Sequence, residues 1–429
     1  MISKQVSLNL NVRSLSESAT IVINDTSRAL QTEGRTIYRL GLGQSPFPIP
    51  TPVVDALKMH AHEKDYLPAK GHPVLREKVA NYHRVHDGID ASTNDVLIGP
   101  GSKELMFLLQ MVYYGELIVP TPCWVSYIPQ ATILGRKVSL IHTSAKDNWR
   151  MTAEKFEKHC DQQNDMFRPR ILILNYPGNP EGCSYSPEHL QDLAAVARKY
   201  RVILLSDEIY GQLHHQGKHQ SIARYYPEGT IISSGLSKWC GAGGWRLGTF
   251  TFPTDFDWLL EKMAAVASET YTSVCAPIQC AAIRAFEGGV EIEKYLWHTR
   301  RILAAIAKES VEILCQSEIF VPKPVGAFYL FLDFSKYQER LAERGICDSK
   351  TLSQRLLDET GVAILPGSAF GRLENELTAR VAYVDFDGAQ ALTASQTTPL
   401  DKPLPDDFVD TWCYRIKEAM QRITDWVKL

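Results

Sequence analysis

Three short runs of continuous apolar residues limit the architecture of this chain more than any other feature. RILILNY (170–176), RVILLSDEIY (201–210) and GTIISS (229–234) read as strands, and SPEHLQDLAAVARKY (186–200) reads as a helix. That helix has Ser186 as N-cap, Pro187 at its first position, and Leu190, Leu193, Ala194 and Ala197 as its apolar stripe. Strands that are apolar on both sides need cover on both faces. The pattern therefore predicts an α/β unit with a mostly parallel sheet between helices. Polar residues gather where the strands end: Asn175, Asn179, Asp207, Tyr210 and Lys238. Ligands of open α/β sheets bind outside the carboxyl ends of strands, so these side chains are expected around one crevice.

The C-terminal part has a different rhythm. VGAFYLFLDF (325–334) and LTARVAYVDF (377–386) read as strands, and FVDTWCYRIKEAMQRITDWVKL (408–429) as one long amphipathic helix. TASQTTPLDKPLPDD (393–407) reads as a surface loop. A chain of 429 residues is too long for one ordinary core, so a second, smaller α+β domain is expected. The net charge of −3 without a basic block argues against a nucleic-acid partner. Nine scattered cysteines without a CxxC pair suggest reduced thiols in a cytoplasmic protein, neither a disulfide framework nor a zinc site. MISKQVSLNLNVRS lacks the apolar core of a leader, and no run is long enough to span a bilayer. His214, His215 and His219 share a polar loop, and no metal is expected there.

SSGLSKWCGAGGWRLG (233–248) frames Lys238 with glycines and places Arg246 eight residues on. A lysine amine has a pKa of about 10.4, and carbonyl chemistry needs that value depressed by burial or neighbouring cations. Asp207 ends an apolar strand, where a carboxylate needs a cationic partner such as a protonated pyridine nitrogen. Tyr210 and Asn179 are placed to hydrogen-bond a ring oxygen. IGPGSKELMFLLQ (98–110) is a glycine turn opening a helix, whose amides at Gly101, Ser102 and Lys103 would face an anion. Trp124, in PTPCWVSY (120–127), follows a rigid turn and would stack on a ring. Each feature has a structural reading when taken singly: a snorkelling lysine, a capping aspartate, an ordinary helix start, a core tryptophan. Together they describe a pyridoxal phosphate site.

These stretches resemble the class I/II aminotransferases of fold type I. GLSKWCGAGGWRLG matches that family's lysine signature, NYPGNPEG (175–182) its asparagine motif and SDEIY (206–210) its aspartate–tyrosine motif. YLPAKGHPVLR (66–76), VGAFYL (325–330) and ILPGSAFG (364–371) are similar to further landmarks, so the resemblance covers nearly the whole chain. It implies a large domain over 53–299 with a mostly parallel seven-stranded sheet, and a small α+β domain from 1–52 and 300–429. It also implies that Lys238 binds the cofactor aldehyde and shuttles a proton. Asp207 would meet the ring nitrogen, Asn179 and Tyr210 the ring oxygen, and Trp124 the ring face. Gly101, Ser102, Lys103 and Arg246 would hold the phosphate. Tyr66 resembles a tyrosine that reaches the neighbouring subunit's phosphate, which implies a homodimer with shared sites. Arg380 matches the arginine that grips the substrate α-carboxylate, and Gly43 the glycine whose backbone meets the same group. Gly235 stands where many members have a phosphate-binding serine, and Ser234 is a candidate replacement.

For the substrate, SATIVIN (18–24) and GSKELMFLLQ (101–110) resemble the bacterial-type aspartate aminotransferases. Ser18, Thr20 and Lys103 match positions that contact the distal carboxylate of acidic substrates. GQSPFPIP (43–50) departs from the acidic pattern common in that subgroup. The expected reaction moves an amino group from aspartate to 2-oxoglutarate. The alternatives are an aromatic or alanine aminotransferase, or a C–S lyase or aminocyclopropane-carboxylate-type synthase on the same fold. A non-enzymatic amino-acid sensor would carry a DNA-binding module, against which the short N-terminus and the net charge argue.

Overall fold

The apolar runs become strands of one seven-stranded sheet in the computed structural model, which describes residues 8–13, 15–162 and 168–429. They are β1 (Val96–Gly99), β2 (Glu116–Thr121), β3 (Val138–His142), β4 (Arg170–Asn175), β5 (Ile203–Asp207), β6 (Thr230–Gly235) and β7 (Gly248–Thr251). Their order is β1-β7-β6-β5-β4-β2-β3. β7 runs antiparallel to β1 and β6, and the other pairs are parallel. Parallel neighbours need a crossover, but the chain turns back from β6 into β7 without one, which sets the antiparallel pairing. That return segment carries Lys238 and Arg246.

Side chains of the central strands alternate between two cores, as a period of two requires. Ile171, Ile173, Ile203 and Leu205 pack with α2 (Ser102–Val112) and α4 (Asp257–Thr270), the helix α1 (Ala19–Thr32) lying elsewhere. Leu172, Leu174 and Leu204 pack with Leu190, Leu193, Ala194 and Ala197 of α3 (Pro187–Lys199). The Ser186 hydroxyl accepts from the His189 amide at 3.4 Å, so the expected N-cap is formed.

A smaller sheet follows the long helix α5 (Val290–Leu314). Its strands β8 (Tyr329–Asp333), β9 (Leu365–Pro366) and β10 (Thr378–Ala382) run in the order β9-β10-β8, all antiparallel. Tyr38–Arg39 pairs in parallel with Val362–Ala363, which ties the N-terminal segment to this part. Two expectations need correction. The loop expected over 393–407 begins inside α6 (Gly388–Gln396), because the Asp387 carboxylate caps that helix by accepting from Ala389 and Gln390 N–H. The expected single last helix is two, α7 (Phe408–Trp412) and α8 (Tyr414–Lys428), broken at Cys413 with φ −131. The break turns Phe408 and Val409 as well as Ile416 and Met420 into the core. Among the described residues no helix is long and apolar enough to cross a membrane.

The sandwiching of β4 and β5 can be checked directly. Leu172 is fully buried, so Leu172→Ala should cost about 2–5 kcal/mol. The expected readout is a lower denaturation midpoint with an unchanged helix signal at low denaturant.

Candidate active site

Across three parallel strands the residues at the carboxyl edge stand level: Asn175 is opposite Asp207, and Asp207 is opposite Ser233. The chain passes β3 to one side of β2 and β4 to the other, so a crevice opens at this edge. It holds a cavity of about 540 Å³ lined by Gly43, Ser102, Lys103, Trp124, Asn179, Asp207, Tyr210, Lys238 and Arg246, all singled out in the sequence. Gly101, Arg380, Ser18, Thr20 and Tyr66, also singled out, do not line it.

Lys238 reaches the cavity from the β6–β7 return. Its Nζ donates to the Gly43 carbonyl at 2.7 Å and faces the rings of Tyr210 and Phe328 at 5.6 and 5.8 Å. Burial, and next the charge of Arg380, pull its pKa from the ordinary lysine range to about 8. This is the depressed amine that carbonyl chemistry needs.

Asp207 is 4% exposed and makes no ion pair among the described residues. Its carboxylate accepts from the Tyr127 hydroxyl at 2.5 Å and the Ile209 amide at 3.4 Å. The Asn175 side chain donates to its backbone carbonyl at 2.8 Å. Burial pushes its pKa up to about 6. A cation arriving at the cavity face would reverse that push, and a protonated ring nitrogen has the right charge and shape.

The opposite end of the cavity suits an anion. Gly101 is the N-cap of α2 with no side-chain cap, which leaves the first amides of the helix open. Its φ of 92 calls for glycine, and a Cβ there, 2.0 Å from Arg246 Nη2, would push the guanidinium from its place. Arg246 is held by the carbonyls of Gly243 at 2.8 Å and Pro100 at 3.3 Å. Ser237 lines the cavity, whereas Ser234 does not. An unpaired buried carboxylate at one end and open amides beside a guanidinium at the other fit the ring nitrogen and phosphate of pyridoxal phosphate.

Behind the wall, Arg380 is 1% exposed. Its Nη1 donates to Asn179 Oδ1 at 3.1 Å and its Nη2 to the Gly41 carbonyl, while Nε is buried without a hydrogen-bond partner. The rings of Tyr329 and Phe370 flank the guanidinium at 4.8 and 5.0 Å. Asn179 is held in turn by its own amide, which donates to Asn175 Oδ1 at 2.7 Å.

Lys103 also lines a second cavity of about 970 Å³, whose wall includes Ser18. Its Nζ lies 5.1 Å over the Trp124 ring, and burial followed by Arg246 lowers its pKa. Ser18 and Thr20 hydroxyls bond each other at 2.9 Å, and Thr20 lines neither cavity. Tyr66 is 90% exposed and lines neither.

Sequence reasoning missed Tyr127, Tyr329 and Ser237. Tyr127 orients Asp207, and the Tyr329 hydroxyl bonds that of Tyr210 at 2.7 Å. Tyr127 lies three residues after Trp124 and Tyr329 opens β8, but both partners are distant in the chain, so only an aromatic hydroxyl near a landmark could have flagged them. Trp239 and Cys240, beside the lysine, are core residues at 4% and 0% exposure. His219 bonds Glu208 at 2.8 Å, and among the described residues no group of three could hold a metal.

Comparisons with known proteins identify the family. The model of the family "Aminotransferase class I and II" matches residues 35–387. An aspartate aminotransferase of Geobacillus stearothermophilus is 32% identical over 374 residues, 85% of this chain and 92% of that protein. An asparagine–oxo-acid transaminase of Streptococcus mutans is 29% identical over 86% of this chain and 93% of that protein. The structure of Thermus thermophilus aspartate aminotransferase with maleate superposes with a TM-score of 0.82 at 26% identity, covering 97% of this chain and 99% of that one. A depressed lysine, a buried aspartate and an anion cup on this fold thus have one common explanation: the chain belongs to the class I and II aminotransferases, enzymes that transfer amino groups between amino acids and oxo acids with pyridoxal phosphate.

Proposed function

We propose that the protein is an aspartate aminotransferase that passes the amino group to 2-oxoglutarate. The observation that carries this reading is Lys103, a partly buried cation without an ion pair among the described residues, set between the cofactor cavity and the cavity that Ser18 lines. A second carboxylate is the natural partner for such a charge. The names of the relatives from Geobacillus and Thermus favour the same donor. The asparagine transaminase of Streptococcus is the observation behind a second reading, in which the side chain is an amide.

Pyridoxal phosphate supplies an aldehyde that takes up the amino group and a ring that accepts electrons. The chain's own residues do the rest. Lys238 would be the amine that holds that aldehyde, and it is also the base placed to hold and move the proton at the substrate Cα. Asp207 keeps the ring nitrogen protonated, with Tyr127 fixing the carboxylate. Asn179 and Tyr210 face the ring oxygen, and Trp124 covers the ring face. The amides of Ser102 and Lys103 hold the phosphate together with Arg246; the expected third amide, Gly101 N–H, instead donates to the Gly99 carbonyl at 2.7 Å. Arg380, whose Nε waits for an acceptor, takes the substrate α-carboxylate beside the Gly43 backbone. Ser18, Thr20 and Lys103 receive the distal carboxylate.

The working unit we infer is a homodimer. Tyr66, 90% exposed here, then enters the neighbouring subunit's phosphate cup. The small domain is drawn from residues 1–52 and 300–429 and the large one from 53–299, with α5 running continuously through the second boundary. Nine free cysteines, five of them buried, favour a reducing, cytoplasmic setting.

Three outcomes test this reading. Lys238→Ala should abolish borohydride-fixed attachment of the cofactor and lower turnover by about 10²–10⁴-fold; fixation at another residue would overturn the assignment. Lys103→Ser should lower kcat/KM for aspartate by about 10–100-fold, the value of a charged hydrogen bond, and that for alanine or tyrosine far less; equal losses would rule out the distal-carboxylate role. The third test uses pH. Because the Lys238 amine titrates at about 8, cofactor capture by the apoenzyme should accelerate as pH rises through that value and level off above it. Arg380→Leu removes a charge that lowers this pKa, so the stopped-flow midpoint should move to higher pH.

A further inference from the structure

Beside the site lies a buried acid that the mechanism above does not use. Glu181 is 7% exposed, and its carboxyl folds back inside the turn that carries Asn179. That turn is closed by Gly178 N–H to the Cys183 carbonyl at 2.8 Å and Gly182 N–H to the Gly178 carbonyl at 2.9 Å. The carboxyl sits so close to Gly178 that a Cβ there would lie 1.7 Å from Glu181 Oε1. Glu181 also borders a small space of about 30 Å³, with room for one water, whose other walls include Asn175, Asn179 and Tyr127.

Beyond the Glu181 backbone N–H, which bonds its own carboxylate, little in the surroundings balances a negative charge. The titratable groups facing Glu181 are Arg150, Cys123, Cys183, Tyr185 and Tyr127. Arg150 is the one cation among these, makes no ion pair with Glu181, and is engaged by the Ser184 and Asp147 carbonyls at 3.0 and 3.4 Å. Burial raises the Glu181 pKa to about 8.

We propose that Glu181 works as an uncharged carboxylic acid, a positioning residue that holds the turn bearing Asn179. Ionisation puts an unbalanced charge inside the turn and drives the carboxylate outward. Asn179 then loses its place between Asn175 and Arg380. The residue acts through Asn179, so its effect on turnover rests on the aminotransferase reading, whereas its protonation does not.

The sign of the stability effect follows from linkage. An ordinary glutamate titrates at about 4.3 in the unfolded chain, and Glu181 at about 8 when folded. The folded state holds the extra proton between these values, so its contribution is full at low pH and is lost as pH rises towards 8. The test compares the wild-type holoenzyme with Glu181→Gln, which keeps the shape and removes the titration. The melting temperature of wild type relative to Glu181→Gln should fall steadily from pH about 5 to about 8 and then run parallel. In wild type kcat/KM should fall about tenfold per pH unit above the titration, and Glu181→Gln should lose that limb. Melting curves parallel throughout would overturn the proposal, because Glu181 would then titrate normally. An unchanged alkaline limb in Glu181→Gln would also overturn it, since the acid would be structural only. If Glu181→Gln fails to fold, infrared titration of wild type decides: a protonated carboxyl band at neutral pH that disappears above the titration supports the proposal, and its absence sinks it. If aspartate proves not to be the donor, the melting and infrared arms still stand, and the pH limb is read with whichever donor turns over.

Discussion

Everything at the site depends on the level register of Asn175, Asp207 and Ser233 across β4, β5 and β6. A parallel ladder fixes relative strand height through evenly spaced hydrogen bonds, so one-residue slips would turn every side chain to the other face. Here that would also exchange the two cores, because Leu172 and Leu204 serve one and Ile171 and Ile203 the other. Core packing thereby sets the position of the Asp207 carboxylate and of the Asn175 amide that anchors Asn179. The short return into β7 then delivers Lys238 above them.

The charges around the cavity are unequal. Lys238, Lys103, Arg246 and Arg380 face one buried carboxylate, Asp207. Burial lowers the pKa of Lys238, Lys103 and Arg380 and raises that of Asp207. The rings of Tyr210 and Phe328 flank Lys238, and that of Tyr329 flanks Arg380. A phosphate at the helix end and a carboxylate at Arg380, as proposed above, would restore the balance. The site is therefore prepared for anionic cofactor and substrate before either arrives. Glu181 extends the same logic, since a carboxyl so close to Asn179 is tolerable while it carries its proton.

Arg380 shows how distant parts of the chain become one wall. It comes from β10, bonds Asn179 from the large sheet and reaches the Gly41 carbonyl of the N-terminal segment. The Tyr38–Arg39 pairing with Val362–Ala363 holds that segment in place. Movement of the small sheet relative to the large one would thus pass directly to Arg380 and Asn179.

The sequence by itself determined the layer order and the identity of the chemistry. Continuous apolar runs at 170–176 and 201–210 can be satisfied only between two layers, and Lys238, Asp207, Asn179, Tyr210 and Arg246 are marked by local context that varies little with the rest of the fold. Element ends were less legible. The run over 408–429 is apolar at helical spacing throughout, yet the chain breaks at Cys413 because the core requires two directions. Tertiary structure decided the partners: Tyr127 for Asp207, Tyr329 for Tyr210, Asn179 for Arg380. It also decided which acid is buried without a counter-charge. Those facts depend on contacts between residues 80 to 201 positions apart, or on exclusion of water by the assembled walls, and neither is written into any local stretch of chain.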